Sequence, residues 1–190
     1  MIRLPSQITK VIPPLNDQDH LYGSRDAAIV LMIYADYQCP RSAEACRTIR
    51  DLQRFAQSVP QSEPDPDLCV SFRHFPRTQI HPQAQKAAET VEAAAAQGKF
   101  WEMHTLLFEH HDTLADGNLV EYAAQLNLDI PRFLQELSDH IHADRVQADI
   151  ESGQRHGVKD TPTFFIGIRQ QDCQKLEPIL VALLNAIAAR

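Results

Sequence analysis

The sequence predicts an α/β protein in which a small sheet is interrupted by a block of helices, and three observations carry that prediction. Ile29 to Tyr34 is an unbroken apolar run rich in β-branched residues, strand character returns at Thr163 to Ile166, and the stretch from His81 to about Ser152 has helical spacing throughout. At 190 residues with 44% hydrophobic content, the chain is long enough for one sizeable core.

Ile29-Val-Leu-Met-Ile-Tyr34 has polar residues at both ends and suits a central strand buried on both faces. After Ala35-Asp-Tyr-Gln-Cys-Pro-Arg-Ser42, the residues Ala43, Cys46, Ile49, Leu52 and Phe55 recur at three-residue steps, so a helix begins near Pro40, where proline suits a first turn. Pro60, Pro64 and Pro66 make the next stretch a surface loop. Cys69 to Phe75 alternates Val70 and Phe72 against Ser71 and Arg73, a strand with unequal faces, and Pro76 ends it.

Ala84, Ala87, Ala88, Val91, Ala94 and Ala95 then form one apolar helical stripe behind Pro82. Further helices are expected at Phe100 to His110, at Leu119 to Leu126, at Pro131 to Leu137 behind a capping Asp129, and from about Ile141 to a stop at Gly157. The last strand is followed by a short hairpin, Gly167 to Asp172, and by a helix from Leu176.

A net charge of −7 opposes binding to nucleic acid or to an anionic membrane surface. No apolar run approaches bilayer length, and Met1 to Tyr22 mixes charges with prolines instead of an apolar signal core, so the expected location is cytoplasmic. The four cysteines, at 39, 46, 69 and 173, are too few and too irregular for a disulfide framework or a zinc site. His110-His111 and the pair His140 and His142 lack partners for a metal set and read as solvated helix ends, so no metal is expected.

Cys39 follows the buried strand and precedes Pro40 at a helix start, where unpaired N–H groups and the helix dipole favour an anion. Arg41 adds positive charge, and such surroundings lower a cysteine pKa from about 8.5 towards roughly 3.5 to 7.5. A junction of this kind also exposes its side chains. A reactive thiolate is therefore preferred to a buried, inert cysteine, while Cys69 and Cys173, with no flanking charge pattern to activate them, are left as structural or incidental.

Asp36-Tyr-Gln-Cys-Pro-Arg-Ser42 resembles the active-site motif of the DsbA-like disulfide oxidoreductases of the thioredoxin superfamily. Phe72-Arg-His-Phe-Pro76, His81-Pro-Gln-Ala84, Gln97-Gly-Lys-Phe-Trp-Glu-Met-His104 and Gly157-Val-Lys-Asp-Thr-Pro-Thr-Phe-Phe165 follow in the family's order, so the resemblance spans roughly residues 27 to 188. It implies a thioredoxin fold with an inserted α-helical domain: an extension over 1–26, a thioredoxin-like domain over 27–80 and 157–190, and the insertion over 81–156. It further implies that a cis Pro162 lies against the active cysteine. Thr161, Pro162 and Pro40 would then line the place where an extended peptide or glutathione is held. Phe100 and Trp101 are expected to pack the insertion onto the core.

The family's second cysteine, three residues after the first, is replaced by Ser42. Cys46 would lie about 10 Å from Cys39 along a regular helix, beyond the bridging limit of about 7 Å. The expectation is a monothiol enzyme: Cys39 attacks a disulfide, Ser42 and Arg41 stabilise its thiolate, and glutathione or another external thiol resolves the mixed disulfide. No tightly bound cofactor is expected. Asp160, where the family more often has glycine, is expected to point to solvent. Competing expectations are a glutathione-dependent transferase or isomerase, a peptide-binding module without turnover, and a dimer sharing an iron–sulfur cluster with glutathione. The sequence leaves the oligomeric state open.

Overall fold

The computed structural model describes residues 12–58 and 68–168. In order these form β1 (His20–Tyr22), β2 (Ile29–Ala35), α1 (Pro40–Ser58), β3 (Leu68–His74), α2 (Ala84–Ala95), α3 (Phe100–Glu109), α4 (Asp116–Gln125), α5 (Ile130–Ser138), α6 (Ala143–Arg155) and β4 (Thr163–Ile168). The expected helix from Leu176 and most of the hairpin before it lie outside the described residues. The four strands make one sheet in the order β1-β3-β2-β4, so β2 is interior, and all seven of its residues are buried. A strand with no polar outer face has this apolar composition because both of its faces are covered.

The chain divides into two compact units. The first holds most of the sheet and most of α1, where Ala45, Cys46 and Ile49 are buried. It also takes in residues from the expected extension: β1 pairs antiparallel with β3, with His20 opposite Phe72 and Tyr22 opposite Val70. This changes the reading of β3. Instead of one wet face, every residue from Cys69 to His74 is buried. Arg73 donates from Nε to Asp19 Oδ1 at 2.7 Å and from Nη2 to Asp19 Oδ2 at 2.9 Å, and Nη2 also reaches the Pro14 carbonyl at 2.8 Å. The segment before β1 thus closes over what the alternation marked as a solvent face, and a two-pronged ion pair satisfies the charge it buries. Cys69 sits in the core beside Ala27 and Val30, with Ile12, Leu15 and Leu21 against it, which agrees with a structural role.

The second unit gathers residues 34–43 and 74–162. Its helices follow the expected stripe, with Ala84, Ala87, Ala88, Val91 and Ala94 all buried. Asp129 caps α5 by accepting from the Arg132 N–H at 3.1 Å. Asn127 at φ 56° and Gly157 at φ 76° end α4 and α6 in the left-handed region. Phe100 is buried and meets His74 edge-on at 6.3 Å, while Trp101 packs on Phe100 and His104. Three of the four histidines read as solvated ends also have a partner, and the His140 side chain is still 71% exposed. His140 Nδ1 lies 2.9 Å from Glu89, His142 Nε2 2.8 Å from Glu136, and His110 stacks on Tyr122.

The second unit therefore includes the Cys39 loop and residues 157–162 along with the helical block, a different partition from the insertion boundaries at 81 and 156. The reason is polar. Residues 36 to 38 bond to 77, 81, 83 and 104, all inside this unit.

Candidate active site

Cys39 stands at the N-cap of α1. Its own N–H donates to the Asp36 carbonyl at 3.1 Å, and its carbonyl accepts the first helical bond from Ala43 at 3.0 Å. Pro40, the first helical residue, has no N–H to satisfy, which is why the turn can begin there. The Cys39 side chain is only 5% exposed, more enclosed than a strand-to-helix junction suggests. Pro40 and Arg41 beside it are exposed.

The turn is held from below. Asp36, 1% exposed, accepts the Gln38 N–H on Oδ1 at 2.8 Å and the Arg77 N–H on Oδ2 at 2.8 Å, and His81 Nδ1 lies 2.8 Å from the same Oδ2. A carboxylate oxygen only accepts, so His81 presents its Nδ1 proton here. Gln38 and Gln83 bond reciprocally, at 2.8 Å from the Gln83 N–H to Gln38 Oε1 and at 3.4 Å from Gln38 Nε2 to Gln83 Oε1. Tyr37 is buried with its hydroxyl 3.0 Å from His104 Nδ1 and its ring 4.5 Å from that of Phe108.

Residues 160 to 162 meet the cysteine directly. The Thr161–Pro162 peptide bond is cis, as the family resemblance implied, and Cys39 Sγ lies 3.5 Å from the Thr161 carbonyl oxygen. Thr161 itself is fully buried. Arg41 Nη2 donates to that same carbonyl at 3.1 Å and to Asp160 Oδ2 at 2.6 Å. Arg77 Nη1 donates to Asp160 Oδ1, which also accepts the Thr161 N–H at 2.8 Å.

Two expectations change. Asp160 is half exposed, yet it pairs with two guanidinium groups and does not simply face solvent. Burial alone would raise its carboxyl pKa; the Arg41 hydrogen bond, the Thr161 N–H and the charges of Arg41 and Arg77 outweigh that and hold it below the usual carboxylate value. Ser42 was expected to reach the sulfur. It is fully buried, and its Oγ accepts the Asp36 N–H at 3.4 Å, so its described bond braces the turn.

Arg41 keeps the expected electrostatic link to the cysteine in reduced form. The Asp160 hydrogen bond and charge raise its guanidinium pKa, burial opposes them, and the Cys39 sulfur adds a smaller share. The structure thus brings Cys39, Pro40, Arg41, Ser42, Thr161 and Pro162 into one place. Sequence reasoning gave no role to Asp36, Arg77 or His81. Asp36 opens the motif, and an acidic residue three before a helix-starting cysteine was a usable signal; the pairing of Arg77 with Asp160 left none. Among the described residues, no disulfide joins Cys39, Cys46 and Cys69.

A sheet interrupted by helices, with a cysteine at a helix start facing a cis-proline turn, is the thioredoxin architecture. A model of the family described as thioredoxin matches residues 15–184, and the chain belongs to that family. Among solved structures, alpha-DsbA1 of Wolbachia pipientis is similar with a TM-score of 0.69 and 21% identity, covering 94% of this chain and 96% of that one. BdbD of Bacillus subtilis in its oxidised form gives 0.69 and 20%, covering 91% and 96%. At such identities the likeness is one of fold, a DsbA-like thioredoxin fold. Among curated relatives, the Na(+)/H(+) antiporter NhaA 3 of Salinispora tropica is 38% identical over 183 residues, covering 96% of this chain and 27% of the antiporter. The antiporter NhaA of Herminiimonas arsenicoxydans is 35% identical over 155 residues, covering 81% and 23%. The chain therefore spans about a quarter of the length of the curated relatives it matches. No helix among the described residues is long and apolar enough to cross a membrane.

Proposed function

We propose that the chain is a thiol-disulfide oxidoreductase that works through a single nucleophilic cysteine. Cys39 attacks a substrate disulfide, forms a mixed disulfide and expels one thiolate; an external thiol, with glutathione the natural candidate, then releases the product and restores Cys39. The observation that carries this reading is the Cys39 sulfur at a helix N-cap, 3.5 Å from the Thr161 carbonyl that precedes the cis proline. Ser42 in place of a second cysteine makes the external thiol necessary. We place the chain in a reducing compartment such as the cytoplasm, where an external thiol pool such as glutathione is available.

Turnover in a glutathione-coupled disulfide reduction assay tests this proposal. Cys39→Ala is expected to fall to the background of the assay, and full activity in that variant would overturn the mechanism. Activity on a small electrophile but on no disulfide would instead favour a glutathione-dependent transferase.

A second reading concerns setting. Because relatives bearing the antiporter name match almost this whole chain over a quarter of their own length, the domain is a candidate companion of a sodium/proton antiporter, acting beside or within it. Altered antiport on adding this domain's Cys39→Ser form in place of the native one supports that setting; identical antiport opposes it.

A further inference from the structure

The backbone N–H and carbonyl of Thr161 are both engaged by side chains of the same unit. Its N–H donates to Asp160 Oδ1 at 2.8 Å, and its carbonyl accepts from Arg41 Nη2 at 3.1 Å. Asp160 ties this arrangement together: its Oδ2 takes Arg41 Nη2 at 2.6 Å, and its Oδ1 takes Arg77 Nη1. The Asp160 side chain is 51% exposed and that of Arg41 61%, so the cluster is open to solvent and is not a core support.

Arg41, which also bonds the Thr161 carbonyl 3.5 Å from the sulfur, and Arg77 converge on one carboxylate, Asp160, which offsets part of their positive charge. Without that carboxylate, an incoming molecule would meet more positive charge. A unit charge at roughly 6 Å in water is worth about threefold in a rate or an equilibrium, so a substrate carrying several charges would feel the change strongly.

We propose that Asp160 is a specificity-determining residue of the Cys39 site: by occupying Arg41, Arg77 and the Thr161 N–H, it holds back acidic disulfides relative to neutral or cationic ones. This rests on Cys39 being the nucleophile. The step concerned is one exchange. The Cys39 thiolate forms a bond to one sulfur of R–S–S–R, the original S–S bond breaks, and its electron pair leaves with the second sulfur as a thiolate, so no further oxidant or reductant is needed. Asp160 acts on this step through the charge that the disulfide meets on approach.

The test measures the rate of mixed-disulfide formation at Cys39 by intact mass and peptide mapping. The probes are oxidised glutathione, which is net anionic, and cystamine, which is cationic. In Asp160→Asn the ratio of the glutathione rate to the cystamine rate is expected to rise on the order of tenfold at low salt. It should fall back towards the native ratio in about 0.5 M salt. Asp160→Glu should stay near the native ratio, and Arg77→Gln should move it the opposite way by about threefold, a comparison that does not depend on the Asn variant folding. A ratio unchanged within about twofold in both Asp160→Asn and Arg77→Gln overturns the proposal. Labelling of Cys39 by neither disulfide in any form overturns the nucleophile reading itself, so the two failures are distinguishable.

Discussion

Two carboxylates serve the Cys39 turn, one beneath it and one at its rim, and their surroundings assign them different work. Asp36 is 1% exposed and takes two backbone N–H groups and a histidine N–H, all within the turn and the segment 77–81. Asp160 is half exposed and takes two guanidinium groups and one N–H. A buried carboxylate with directed donors fixes backbone shape, because removing it leaves partly buried N–H groups without their acceptor. An exposed carboxylate between arginines is screened and stabilises little, but it sets the charge that an arriving molecule meets. Mutating the first should cost folding; mutating the second should change partner choice.

The contrast can be broken most forcefully at Asp36. Asp36→Ala leaves the Gln38 and Arg77 N–H groups and His81 Nδ1 without their acceptor and should cost about 2 to 3 kcal/mol in urea unfolding. A loss below about 1 kcal/mol would mean that the turn holds its shape by other means. Tyr37→Phe, which removes only the hydroxyl facing His104, is expected to cost about 1 kcal/mol in the same measurement.

Asp160 should give the smallest stability effect, and its sign follows from the direction of its shift. Its folded carboxyl titrates below the unfolded value, so whatever stability it adds is present above the ordinary carboxylate pKa of about 3.9 and is lost as pH falls through the lower folded value. Asp160→Asn and the native chain should therefore differ slightly in urea midpoint at neutral pH and converge by about pH 2. A gap that persists in acid would assign Asp160 a packing role that its exposure does not suggest.

Most helices were legible because their signals are local. The alanine stripe of α2 and the Asp129 cap of α5 each lie within a few residues, and the structure reproduces them. β2 was legible for a related reason, since only a strand covered on both faces needs an unbroken apolar run. β1 was not. Three residues without alternation carry no period, and that strand exists because β3 offers an edge to pair with. Arg73 was misread for the same cause: its partner Asp19 lies 54 positions away. At the site, Cys39 and Pro40 were readable from the strand-to-helix junction. The cis Pro162 came only from family resemblance, because an X–Pro bond is usually trans and nothing local marks the exception. The Arg41–Asp160 pair, 119 positions apart, could not be inferred from either end.

The central claim is that Cys39, among the thiols described here, is the one that exchanges with disulfides. Site-resolved mass spectrometry after brief exposure of the folded protein to oxidised glutathione measures this directly. The expected result is a glutathione adduct on Cys39, with Cys46 and Cys69 unmodified. Adducts on Cys46 or Cys69 with Cys39 left free would contradict the account.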